Sequence, residues 1–236
     1  MRSATFPVNT RVFNQEGIRQ VAWYAAGLVA AFLLPFVFSS TLDLNHDLYY
    51  LVYFAGALAF LVAYVLATGA DMRALFTRHW RWSLALGVVA SVALVFNVLN
   101  REDSTPHPDG LYFAFSIGWR GVVYGVVDAL VLTAFPVAVT LALMGGRLET
   151  LVRRAAFAVV SLALVLVITA VYHLGYEQFR EDGVGGPEIG NTIISVPAIL
   201  TANPLGSLIA HASMHVAADV HAYETDTFLP PKVEAD

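Results

Sequence analysis

Four ionisable residues interrupt otherwise apolar stretches of this 236-residue chain: Asp128, His173, His211 and His215. Such groups are costly in hydrocarbon, so each implies a partner or a task. His211 and His215 are four residues apart, which on a helix puts both imidazoles on one face, one turn apart. Two histidines at that spacing hold one zinc in HExxH helices, although the glutamate of that motif is absent here. Asp219 continues the same face, as a third ligand or as a carboxylate that orients a histidine. Asp128 lies in residues 122–132, apolar apart from Tyr124. It reads either as a ligand or general base, or as a carboxyl hydrogen-bonded to Tyr124, Thr133 or a neighbouring helix. His173 closes another apolar run, and Glu177, four residues on, reaches its ring if the helix continues that far. A hydrogen-bonded network without metal is the alternative to a zinc site. Bis-histidine haem is disfavoured, because two histidines on one helix face cannot be opposite axial ligands of one iron.

The elements that must position these residues are membrane helices. Hydrophobic residues make up 58% of the chain and charged ones 13%, about half the charge of an ordinary soluble domain. Six nearly uncharged runs, residues 21–38, 48–70, 82–100, 121–146, 155–176 and 189–218, are each long enough to cross about 30 Å of hydrocarbon as a helix. Strict alternation is lacking, so the fold class is all-α: a polytopic transmembrane bundle and not a barrel. Residues 1–20 read as a cytoplasmic arm, 21–220 as one transmembrane domain and 221–236 as an extended tail. The net charge of −5 without a basic stripe excludes nucleic acid as a partner, and the absence of cysteine excludes thiolate chemistry.

Orientation follows from arginine. Arg2, Arg11 and Arg19 precede the first run; Arg73, Arg78 and Arg81 follow the second; Arg147, Arg153 and Arg154 follow the fourth. Alternate connections carry the positive charge, which puts the N-terminus in the cytoplasm. Six crossings would return the C-terminus there too. The sixth run is broken at Pro197 and at Asn203-Pro204, which splits it into a short helix near 189–202 and a final helix near 204–220 with Asn203 as its N-cap, and residues 181–190 read as a loop on the other side. The composition, rich in Arg, Ala and Val and poor in Lys, is associated with a prokaryotic plasma membrane. The first three runs contain no ionisable group of this kind and read as scaffold. Trp23, Trp80, Trp82 and Trp119 read as interfacial anchors and Arg120 as a snorkelling side chain. His46, His79 and His107 read as solvated loop residues, and His221 as a surface residue or a further ligand.

The order of the buried residues resembles the CPBP family, which groups the CAAX prenyl proteases with bacteriocin-processing intramembrane proteins. Residues 127–135 look like its Glu-Glu-x-x-x-Arg helix, with Asp128 in place of the first glutamate, Ala129 of the second and Thr133 of the arginine. His173 resembles the histidine of Phe-x-x-x-His, with Thr169 where Phe is usual. His211 and His215 resemble His-x-x-x-Asn on the last helix, with His215 replacing Asn. The resemblance spans residues 121–219 and implies a metal-dependent peptidase core that cuts membrane-embedded or membrane-associated peptides.

Three functions are therefore expected of the chain, in this order. The first is a metal-dependent intramembrane hydrolase, with zinc held by His173, His211 and His215 and with Asp128 as general base or fourth ligand. The second is a non-catalytic membrane scaffold or partner-binding relative, favoured by the missing Glu and Arg. The third is a transporter whose pathway these residues line.

Overall fold

The structure is a computed structural model that describes residues 10–225 and 227–231, with side chains from residue 15 onward. Arg2, the side chain of Arg11 and Lys232 lie outside the described residues. Nine helices and no strands occur among the described residues. They are α1 (10–41, ending in the π-helical turn Phe36–Thr41), α2 (His46–Thr68), α3 (Met72–Thr77), α4 (Trp80–Arg101), α5 (Gly110–Leu143), α6 (Leu151–His173), α7 (Glu177–Asp182), α8 (Gly185–Thr201) and α9 (Leu205–His221). Five of them, α1, α2, α4, α5 and α6, are long and apolar enough to cross a membrane. Their outward faces expose residues such as Leu51, Val62, Leu66, Val89, Phe96 and Val159, as a lipid-facing surface does.

Helix α5 is the axis of the bundle. In its most apolar window 72% of residues are buried, against 17–33% in the other four spans. It is also the irregular one. The α-helical turn Tyr124–Ala129, which carries Asp128, is flanked by π-helical turns at Ile117–Val123 and Leu130–Ala134. Pro136 accounts locally for the second turn: it cannot donate to the preceding turn, and Phe135 N–H reaches back to the Leu130 carbonyl instead.

The sixth run is two antiparallel helices, not one interrupted crossing. Helices α8 and α9 have 17 residues each, roughly 25 Å at the rise of an α-helix. The chain turns between them at Ala202, whose φ of +52° is left-handed. Asn203 clamps that turn: its Nδ2 donates to the Phe76 and Arg78 carbonyls (2.8 and 2.6 Å), and its Oδ1 accepts from Leu205 N–H (2.8 Å), the capping role expected of it. Pro197 does not break α8 as expected. It sits buried inside the helix where Gly206 of α9 approaches, and its carbonyl accepts from Thr201 Oγ1. The expected loop at 181–190 shrinks to Gly183 and Val184, because α7 fills its start and α8 begins at Gly185 with Glu188 in its first turn.

This hairpin changes the expected placement of the tail. Arg19 bonds the Ala67 and Thr68 carbonyls, and Arg78, Leu148, Arg154 and Ala202 line one crevice, so the start of α1 and the arginine-rich connections share one end. At the other end His221 Nε2 meets the Glu102 carbonyl and Thr225 bonds Glu102. The tail after His221 then folds back between α4, α8 and α9, where Phe228 and Leu229 pack against Ala90, Leu94, Val98, Ile194 and Met214. The chain therefore leaves α9 at the end opposite the start of α1. A sixth run read as one crossing had put both on the same side.

Candidate metal centre

Close helix contact creates the site. A Cβ on Gly125 would lie 2.6 Å from Ala212 Cα, and one on Gly121 would lie 2.8 Å from Val216 Cγ2. Only glycine lets α9 approach α5 so closely, and that approach brings His211 and His215 to Asp128. These three residues are 2–4% exposed, and one donor atom from each lies within 4.8 Å of the others. His211 Nε2 and Asp128 Oδ2 are 3.8 Å apart, too far for a hydrogen bond. The two imidazoles stack with centroids 4.8 Å apart, and Tyr124 packs on His215 at 4.6 Å.

Three histidine ring nitrogens here are buried without a hydrogen-bond partner: Nδ1 of His211 and both nitrogens of His215. Buried polar groups rarely go unsatisfied. Two tetrahedral ligands at zinc–nitrogen distances stand about 3.3 Å apart, so contraction around an ion would satisfy one nitrogen of each ring. The donor set of one carboxylate and two imidazoles fits a divalent transition metal.

His173 is the fourth expected member, and it stands outside that group. Its Nδ1 contacts the Thr169 carbonyl at 2.8 Å, so as a neutral ring it donates there and keeps Nε2 free. It lines a cavity of about 60 Å³ together with Asp128, His211 and His215, room for about two waters. Arg101, Asn97, Asn191, Thr227 and Phe228 are among the other residues of its wall. Asp219 is fully buried one turn beyond His215, where it accepts from Ser116 Oγ (2.7 Å) and touches neither histidine of the group. Glu177 is exposed at the start of α7. Helix α6 ends at His173, so the helical path that would bring Glu177 back to that ring is missing.

The scaffold reading fails for the second of the first three runs, because of its tyrosines. Tyr53 Oη donates to Asp128 Oδ1 at 2.5 Å. Around it the hydroxyls of Tyr49 and Tyr176 (2.6 Å), Tyr176 and Tyr172 (2.6 Å), and Tyr172 and Tyr124 (2.9 Å) form a buried chain. Sequence reasoning missed this network because phenols count as apolar in a hydropathy reading. The available signal was the Tyr49-Tyr50-x-x-Tyr53 spacing and the Tyr172/Tyr176 pair around His173. Two further expectations fail for a related reason. Arg120 does not snorkel: it is 7% exposed, bonds Asp47 (3.0 Å) and Tyr112 Oη (3.0 Å), and lies over the Tyr223 ring. His46 is not solvated, because its Nε2 meets the Leu229 carbonyl of the returning tail.

Comparison of the chain with protein-family models, with curated proteins and with solved structures finds no match.

Proposed function

We propose that this integral membrane protein is a metal-dependent intramembrane hydrolase of peptide-like bonds, with Asp128, His211 and His215 holding the ion. The observation that carries the reading is the set of orphaned imidazole nitrogens beside a buried carboxylate. A divalent ion bound there supplies Lewis acidity to a water or a carbonyl in the cavity. Tyr53 fixes the carboxylate by donating to Oδ1, which leaves Oδ2 for the histidine side. His173, with Nδ1 spent on the Thr169 carbonyl, keeps the lone pair of Nε2 as proton acceptor for a cavity water and as donor to a leaving amine. The close walls exclude bulk water. The CPBP resemblance supports this reading, since the residues it singles out come from three separate helices and line one cavity. By the positive-inside rule the arginine-rich end faces the cytoplasm, and the cavity lies toward the opposite side.

Protein purified without a histidine tag and analysed by elemental mass spectrometry tests the reading. About one zinc-like ion per chain is expected, lost in His211→Ala and Asp128→Ala. His173→Gln is expected to retain the ion and lose hydrolysis of quenched-fluorescent transmembrane peptides. A folded wild type that takes up no stoichiometric metal after zinc is added back sinks the proposal. The second reading, a non-catalytic membrane scaffold, is favoured by Ala129 and Thr133, which give α5 a single carboxylate and no cation at this depth. It predicts bound metal without hydrolysis.

A further inference from the structure

We propose that the cleft above the Asp128–His211–His215 group is a binding site for a short apolar, proline-containing peptide segment, and that residues 227–231 of the chain occupy it. These residues read Thr-Phe-Leu-Pro-Pro. Two consecutive carbonyls of the segment meet side chains of the cleft: that of Leu229 meets His46 Nε2 at 2.9 Å, and that of Pro230 accepts from Tyr50 Oη at 2.9 Å. Thr227 stays exposed at the cavity rim, and the next four residues are buried, Phe228 and Leu229 among α4, α8 and α9. Backbone carbonyls supply hydrogen bonds that any peptide can make, and the pocketed side chains supply selectivity. Thr227, Phe228 and Pro230 line the same cavity as the candidate metal ligands. With the segment in place the remaining cavity holds waters and nothing larger. The tail therefore acts as an intramolecular occupant that a substrate peptide must displace. Calling that peptide a substrate rests on the hydrolase reading; the occupancy itself does not.

The chain has no cysteine, so Leu229→Cys is a lone reporter at a position 1% exposed. In liposomes a water-soluble maleimide is expected to label it at least ~10-fold more slowly than in denaturant. Adding His46→Ala and Tyr50→Phe removes two partners of the segment and is expected to raise the labelling rate about tenfold. In that background the peptide Thr-Phe-Leu-Pro-Pro, added in trans, is expected to raise labelling further and saturably, and Thr-Gly-Gly-Pro-Pro is not. If the added substitutions prevent folding, Phe228→Gly in the reporter chain loosens the segment from its other side and carries the same expectation. Fast labelling of the otherwise unchanged chain overturns the occupancy. A loosened tail that no peptide competes with shows a fixed structural cap and overturns the peptide site. Metal content measured on the same samples separates the two proposals: absent metal with peptide competition intact removes only the hydrolase reading, and bound metal without competition removes only this one.

Discussion

The Tyr53 hydroxyl of α2 donates to the Asp128 carboxylate of α5 across 2.5 Å, so the site's acid is held by a helix that contributes no metal ligand. Tyr53→Phe keeps the ring packing and removes one charge-assisted hydrogen bond from a buried carboxylate. A loss of about 1–3 kcal/mol of stability is expected, together with a fall in metal affinity of roughly 10-fold or more. Thermal unfolding in detergent and zinc competition with a chelator measure the two. Unchanged affinity with lowered stability would make Tyr53 a packing residue only.

Gly125 is expected to be among the least replaceable positions in the bundle. Its Cβ would press on Ala212 backbone, with no flexible side chain to yield. Gly125→Ala should cost about 1–3 kcal/mol, as overpacking does, and should weaken metal binding by moving α9 away from Asp128. Gly186→Ala, where an added Cβ meets nothing within 4 Å, is the control and should be close to neutral. Equal melting temperatures for the two variants would refute the close α5–α9 contact.

The spans, the all-α class and the buried Asp128, His211 and His215 were legible because hydropathy and helical spacing are local signals. The i, i+4 histidines needed only helix geometry, and Asn203 announced its cap by type. The partners were not legible. Tyr53 lies far from Asp128 in sequence and looks apolar, so nothing local links it to that carboxylate. The two helices of the sixth run were legible from Asn203-Pro204, but not that they double back as a hairpin: each has only 17 residues, so together they were counted as one crossing. Arg120 went astray because its partner, Asp47, sits at the start of a different helix.

That pair yields a coupling test. The Arg120 side chain is 8% exposed and Asp47 31%, and Tyr112 bonds both. Removing Arg120 leaves a partly buried carboxylate without its cation. Arg120→Ala is expected to destabilise by about 1–3 kcal/mol, and Asp47→Asn by less. In a double-mutant cycle the two should couple by more than about 0.5 kcal/mol, measured from unfolding midpoints in detergent. Additive losses would place Arg120 among surface charges that contribute little.

The hairpin makes the last prediction, about sidedness. Arg73 precedes α4 at the arginine-rich end, and Glu224 follows α9 at the end where His221 and Thr225 meet Glu102. Both are exposed, and the chain has no native cysteine to confuse the readout. Arg73→Cys and Glu224→Cys, each introduced alone, should therefore be labelled from opposite sides of a sealed vesicle by an impermeant maleimide. The positive-inside rule puts Arg73 on the cytoplasmic side, so in intact cells Glu224→Cys is the one expected to react. Labelling of both from one side would mean that α8 and α9 together make a single crossing. The tail would then have to reach His46 and Tyr50 by a route the hairpin does not offer.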